Sequence, residues 1–459
     1  MSMAGAWLRA QVGILQDAAG ELRRGRWPRS YAFTFVAEMG VLLGGFAALK
    51  IAGGVLGTTG FGEYAVARRA VSVLAFPLLV GLGISIPRYV ARAVGADPSG
   101  ATARGYFLAA LLIGAPILGG FGVVAALERD WFARAFYGDA RFSSLTMPIV
   151  TAIVGLYAHT LVYANFRGRL RMWPANLLQL VNLALTPPLA LLASHRSAAA
   201  ALEITGVVWL LTATAAGSWG LLRGGGKGGT PERLIPRAVR DLLGFGLPRV
   251  AGEFALFGFF ALPTFYVAHT SGIETAGFFS FGLSLVQMLT SLFAAIGILL
   301  LPYVSRQVAE GSWDRIASIV SRAVTGSLFI TVLLVFALQA VLDRLILLLM
   351  GSAFAPAVQP ARWLITGAIP FVAYTVVRDS LDAVATWPYN SVNVVVALAT
   401  VTGLLWLGGG VVSPALAVAL GCSGLGVLTL LTWGRALRAA RASGPRAVTV
   451  VPGDSEFGV

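Results

Sequence analysis

The sequence predicts an all-α, polytopic membrane protein with about twelve transmembrane helices in two parallel six-helix lobes. Three observations lead there. Apolar residues make up 57% of the 459-residue chain and charged residues only 12%, about half the charged share of a soluble domain. Apolar runs of about 20 residues, long enough to cross the hydrocarbon, recur from Tyr31 to Arg435. Short motifs also recur at a nearly constant offset, a little under half the chain, so the sequence reads as a duplicated unit.

Residues 1–29 place Trp7, Gln11, Ile14, Leu15, Ala18 and Leu22 near one helical face, flanked by Arg9, Arg23, Arg24 and Arg26. That pattern predicts an amphipathic helix lying on an anionic leaflet, and it lacks the cleavage site of a signal peptide. The spans follow at 31–52, 63–90, 104–127, 145–166, 173–194 and 201–222, which make a first lobe over 30–222. A Gly-rich connection, 223–240, with Pro231 and Pro236, reads as a flexible cytoplasmic linker. Spans at 241–268, 276–304, 318–340, 360–384, 388–408 and 411–434 make a second lobe over 241–440, and 441–459 is a cytoplasmic tail. Pro77, Pro87, Pro116, Pro187, Pro188, Pro263, Pro302 and Pro370 fall in or near the spans, where each removes a backbone hydrogen bond and bends a helix.

The basic residues set the orientation. Arg9 to Arg29, Arg88, Arg92, Arg104, Arg167, Arg169, Arg171, the linker and Arg435 to Arg446 all fall on one side. By the positive-inside rule that side, with both termini, is cytoplasmic, although the connection between spans ten and eleven carries no basic residue. The formal net charge of +14 is thereby read as orientation in the inner membrane rather than as a nucleic-acid surface. The one cysteine, Cys422, excludes an intrachain disulfide and a Cys metal cluster, and the three histidines form no zinc motif.

The repeat is carried by particular residues. "RMWPANLLQLVN" from Arg171 matches "ATWPYNSVNVVV" from Ala385, a shared W-P-x-N in a chain with only five asparagines. "ISIPRYVAR" ends span two and "LLLPYVSR" ends span eight; Gly62 falls over Gly277, and Gly138 over Gly351. Six spans per unit is even, so the copies share one orientation, and parallel repeats commonly hold substrate at their interface.

"GFGEYAVARRAVSVLAFPLLVGLGISIPRYVAR" and "YANFRGRLRMWPANLLQLVN" resemble the second helix and the helix four–five connection of the oligosaccharide-lipid flippases. These form the polysaccharide transporter branch of the superfamily that also holds multidrug/cation antiporters and the lipid II flippase. The resemblance covers about residues 30–440. It implies two six-helix lobes facing each other as a V, and export of a polyprenyl-pyrophosphate-linked oligosaccharide, such as an O-antigen or capsule repeat unit, by alternating access. It further implies Na+ or H+ as a coupling ion, no other cofactor, and lipid-linked oligosaccharide, membrane lipids and the polysaccharide polymerase machinery as partners. The lipid II flippase usually has fourteen helices, so the shorter count favours an oligosaccharide repeat unit. A multidrug/cation antiporter of the same fold is the alternative. A membrane glycosyltransferase or polymerase is a third reading, disfavoured by a short external loop at about 128–144.

The charges within the spans are the candidate site. Arg68 and Arg69 lie about 8–9 Å along the helix from Glu63 and differ by about 100° around it. One can face a cavity while the other snorkels or pairs with a carboxylate. Arg249, Lys50 and Arg378 complete the proposed cationic, pyrophosphate-binding set, because a guanidinium fork matches phosphate oxygens. Arg378 precedes Asp379, so pairing competes there. Glu38 and Glu253, separated by nearly the same repeat offset, occupy equivalent positions in helices one and seven and are candidate ion-coupling groups. Asn390 or Asn393 beside Glu253 would resemble the family's cation site. Asp379 and Asp382 form a further acidic group. Static pairing of Glu253 with Arg249 at i, i+4 stays open, and Asn165 is either a substrate contact or an interhelical hydrogen bond.

Overall fold

A computed structural model describes residues 28–97, 99–223, 234–385, 387–408, 410 and 412–442. The expected interfacial helix lies almost wholly outside these residues, as do most of the linker and tail. Among the described residues every regular element is helical. Hydrocarbon offers no water to backbone N–H and C=O groups, and an unclosed sheet would leave an edge unsatisfied.

The helices are α1 (Pro28–Leu79), α2 (Leu82–Ala96), α3 (Ala101–Leu127), α4 (Arg129–Tyr137), α5 (Thr146–Gly168), α6 (Met172–Gln179), α7 (Thr186–Ala193), α8 (Ala198–Arg223), α9 (Leu234–Ser271), α10 (Ile273–Ala309), α11 (Trp313–Met350), α12 (Val358–Thr366), α13 (Ala368–Val384), α14 (Tyr389–Leu407) and α15 (Pro414–Ala442). Ten stretches are long and apolar enough to cross a membrane, or eleven when Ser352–Thr366 and Ala368–Val384, bent by 45°, count as one.

The first stretch, Phe33–Leu79, is 47 residues long, about 70 Å and over twice the hydrocarbon thickness. Gly57 interrupts it with φ 69° and ψ −172°. Its first arm runs parallel to α6 and α7: Asn176 donates to Thr34, Gln179 to Glu38, and Gly44 lies against the Ala184 backbone. Its second arm leads into α2, which runs parallel to α5, with Gly83 by Thr160 and Val90 by Gly168. A tight turn at Leu170, φ 55°, closed by Arg171 N–H to Phe166 C=O at 2.9 Å, joins α5 to α6. Since α5 and α6 run oppositely, so do the two arms of α1. Counted separately they bring the passes among the described residues to twelve.

Span two is not one helix. It breaks at Val80 and Gly81, with φ 44° and 75°, just beyond Pro77. There α9 crosses so closely that a Cβ on Gly81 would collide with the Gly246 backbone. Phe76 stacks on Phe257 with centroids 3.6 Å apart. The α9 helix starts at Leu234, so Arg237 and Arg240 stand on it rather than in the linker. Between α2 and α3, Asp97 accepts from the Ser99 hydroxyl and from the Thr102 N–H and hydroxyl. Those donors hold its carboxyl below the usual carboxylate range.

Span five is divided by a π-helical turn, Leu180–Leu185, just before Pro187 and Pro188. Such a turn displaces backbone carbonyls from their regular partners. Here the Asn182 carbonyl accepts from the Trp209 indole N–H, and its side chain joins His159 and Thr212. Close packing of α5 on α8 rests on Gly155 and Gly206, each of which would collide with the other helix's backbone if it carried a Cβ.

The chain forms two compact units, Met1–Phe281 with Leu347–Pro356, and Gly282–Ile346 with Ala357–Val459. The boundaries thus fall inside α10 and near the end of α11. The second unit is built on Ile316, Val320, Val372, Val376, Leu381 and Trp433, with the Gly426 backbone against the Pro370 carbonyl. Leu43, Leu112, Phe336, Leu348 and Leu407 point outward, as expected of side chains facing lipid.

Gly155→Val should lower the melting temperature of the detergent-solubilised protein by several degrees, because overpacking costs about 1–3 kcal/mol. Gly119→Ala, at a position facing open space, should not; a thermal-unfolding series checks both.

Candidate functional site

The first unit holds Arg68, Arg69, Lys50, Arg249, Glu38 and Glu253. The depth of the arginine pair is set by the seam where α1 meets the start of α10. Gly62 and Gly277, the repeat-equivalent glycines, cross there: a Cβ on Gly277 would lie 2.8 Å from Gly62 Cα. The Thr58 and Thr59 hydroxyls both donate to Glu274 Oε1, and the Tyr137 hydroxyl donates to the Glu63 carbonyl at 3.2 Å. Phe354 makes edge contacts with Phe61 and Phe278, at 5.2 and 5.5 Å.

The two arginines have different surroundings. Arg69 is only 8% exposed. Its Nε donates to Ser280 Oγ at 3.3 Å and its Nη2 to the Ser280 carbonyl at 3.4 Å. It ties α1 to α10 through these bonds. Arg68 is exposed, rests 5.8 Å from the Tyr64 ring centroid, and has no ion-pair partner among the described residues. Lys50 is likewise exposed and unpaired among them. Arg249 is exposed, donates to the Phe245 carbonyl at 2.6 Å, and lies over the Phe245 ring at 3.7 Å.

With Arg249 turned back onto Phe245, the i, i+4 ion pair is not formed. Glu253 is half-buried and makes no hydrogen bond or ion pair among the described residues. Its repeat counterpart Glu38 is exposed and accepts from Gln179 Nε2 at 3.1 Å.

Arg378, Asp379, Asn390 and Asn393 belong to the second unit. Arg378 pairs with Asp379, Nε to Oδ1 at 3.4 Å, so pairing prevails there. Asn390 Nδ2 donates to the Arg378 carbonyl and to Asp382 Oδ1, both at 2.7 Å. Its Oδ1 is buried without a partner among the described residues. A Cβ on Gly297 would lie 2.8 Å from Asp379 Oδ2, so the missing side chain leaves room for that carboxylate beside α10. Asn393 is 3% exposed and donates to Thr432 Oγ1 at 2.9 Å. Asn165 accepts from Arg169 Nε at 3.3 Å, a bond within one connection rather than between helices.

A family profile described as polysaccharide biosynthesis protein matches residues 29–308. The chain belongs to the polysaccharide biosynthesis protein family. No curated protein matches it significantly. Solved structures do. The lipid II flippase MurJ, in an inward closed conformation, is 12% identical with TM-score 0.69, covering 90% of each chain. An inward-facing multidrug resistance MATE family transporter of the MOP superfamily is 13% identical with TM-score 0.65, covering 90% of this chain and 95% of its own. The Vibrio cholerae MATE transporter VcmN in its bent form is 15% identical with TM-score 0.60, covering 90% of this chain and 98% of its own. This member of the polysaccharide biosynthesis protein family therefore shares the fold of those structures, and its long apolar helices make it a multi-pass membrane protein.

Three partnerships escaped the sequence reading. Ser280 carries no signal by itself. Gln179 stands at the position equivalent to Asn393, so the repeat register could have exposed it. The knot of His159, Asn182, Trp209 and Thr212 depends on the π-helical turn, which no local pattern announces. For this polysaccharide biosynthesis family member, Arg69→Lys should lower stability by about 2 kcal/mol, since it loses charge-assisted hydrogen bonds to Ser280. Arg68→Lys should leave stability unchanged; melting curves of the two variants separate the roles.

Proposed function

We propose that the protein is a flippase moving polyprenyl-pyrophosphate-linked oligosaccharide repeat units across the cytoplasmic membrane by alternating access, with both termini cytoplasmic. The observation that carries this reading is Arg68. It is an exposed guanidinium on a membrane pass with no carboxylate in ion-pair range among the described residues, while its neighbour Arg69 is held by Ser280. An uncompensated charge at bilayer depth costs about 3 kcal/mol on insertion scales. An anionic headgroup offsets that cost during its passage, and a planar fork suits pyrophosphate oxygens. Arg249 and Lys50, also exposed, extend the cationic set. Family membership supports a polysaccharide precursor as the cargo.

On this reading Na+ or H+ is the coupling ion, exchanged at Glu253, and the exported unit passes to the polysaccharide polymerase machinery. Export of cationic drugs would call for accessible acids. Of the acids assigned a role, Glu38 is engaged by Gln179 and Asp379 by Arg378, and Glu253 alone of these three has no hydrogen bond or ion pair among the described residues.

Reconstitution in proteoliposomes with a fluorescent polyprenyl-pyrophosphate glycan tests the proposal. Wild type should translocate the lipid, and Arg68→Ala should slow translocation about tenfold or more without loss of thermal stability. Wild-type liposomes that move cationic dyes but no glycan lipid would place the protein with the antiporters instead.

A further inference from the structure

Along the first arm of α1, three side chains meet α6 in turn. Phe33 stacks on Trp173 with centroids 4.6 Å apart, Thr34 accepts from Asn176 Nδ2 at 3.0 Å, and Glu38 accepts from Gln179 Nε2 at 3.1 Å. Farther along, a Cβ on Gly40 would collide with Leu180, and Gly44 lies against the Ala184 backbone. These contacts hold the two helices in register, so the Glu38–Gln179 pair is in place before anything binds to it.

That pair has more acceptors than donors. Gln179 is 6% exposed, and its Oε1 is buried without a partner among the described residues. Glu38 is exposed, and Gln179 is its only hydrogen-bond donor among them. A carboxylate has room for about four hydrogen bonds, and a buried acceptor left without a donor costs about 1–3 kcal/mol. The basic residues of α1 and α5 do not make up the deficit. Lys50, the next basic residue of α1, stands about 18 Å farther along the helix. Arg167 of α5 lies over the Tyr163 ring, 5.6 Å from its centroid.

Vicinal sugar hydroxyls match this deficit. Each carries one O–H and accepts in return, so one can donate to the carboxylate while its neighbour donates to the amide oxygen. A metal ion matches it less well. The described residues hold no group of three or more acidic, histidine or cysteine side chains suited to a metal. Arg167 also places positive charge beside Tyr163, which lies within range of the Glu38 charge.

We propose that Glu38 and Gln179 form a sugar-reading site, which binds vicinal hydroxyls of the glycan carried on the lipid and sets which cargo is accepted. The proposal deepens the flippase reading and rests on it for the cargo being lipid-linked. Glu38 and Gln179 touch the sugar, whereas Thr34 and Asn176 hold α6 against α1 and are positioning residues. Discrimination at such a site is steep, because a cargo lacking the hydroxyls leaves the buried Gln179 oxygen without its donor.

The test uses the purified full-length protein in phosphatidylcholine nanodiscs, titrated separately with geranylgeranyl diphosphate and with the same lipid bearing one glucose on its diphosphate. Wild type should bind the glucosylated lipid about tenfold more tightly. Glu38→Gln keeps the side-chain volume and still accepts from Gln179, but it loses the charge that strengthens a hydroxyl hydrogen bond. It should erase most of the preference while leaving the affinity for bare diphosphate and the melting temperature unchanged. Gln179→Met, which removes the amide, should erase the preference too. Equal affinity of wild type for the two lipids overturns the site, as does a preference that neither variant changes. Sodium-dependent stabilisation against melting that is lost in Glu38→Gln, with the sugar preference intact, also overturns it and marks a cation site. Glycan-lipid translocation alongside an unchanged preference in the variants defeats the site alone. A variant-sensitive preference in a protein that moves no glycan lipid across liposomes upholds the site and removes the flippase reading.

Discussion

A polar group inside hydrocarbon must find its partner within the protein, because the solvent offers none. Nearly every feature of this chain follows from that requirement. It makes the described residues helical. It explains why the carbonyl displaced by the π-helical turn meets the Trp209 indole, and why Asn182 is surrounded by His159 and Thr212. It also explains Arg69, which is tolerable at depth only because Ser280 supplies both a hydroxyl and a carbonyl. Against that background a cation without a carboxylate in ion-pair range among the described residues is informative, and Arg68 and Arg249 stand out for that reason.

The repeat halves have kept their register and changed their chemistry. In the first half Gln179 reaches Glu38, and Asn176 reaches Thr34. In the second, Asn393, at the position of Gln179, turns to Thr432, and Asn390, at the position of Asn176, bridges Arg378 and Asp382. Glu253 is left without the amide that its counterpart Glu38 enjoys. Equivalent positions are thus a hydrogen-bonded pair in one copy and, among the described residues, a half-buried acid without a hydrogen bond or ion pair in the other.

Much of the fold was legible because its signals are long-range averages. Long apolar runs survive local exceptions, and they account for the all-helical membrane fold. The site was legible only as a roster. The sequence placed Arg68 and Arg69 side by side, and their separation of about 100° foretold that they would differ. Which of them would be tied depended on Ser280, remote in the chain and on a different helix. Pro77 pointed to a bend in span two, but the break falls at Val80 and Gly81, where the approach of Gly246 demands it. Arg249 and Glu253 had the spacing of an ion pair, and an aromatic one turn earlier took the guanidinium instead.

The crossing of Gly62 on Gly277 limits what either position can carry. A Cβ on Gly277 would meet the Gly62 backbone, and a Cβ on Gly62 would meet the Ile273 carbonyl. Neither can take a side chain without parting α1 from the start of α10, the same two helices that Arg69 and Ser280 join. Two residues with no side chain thus govern whether a buried guanidinium keeps its partner.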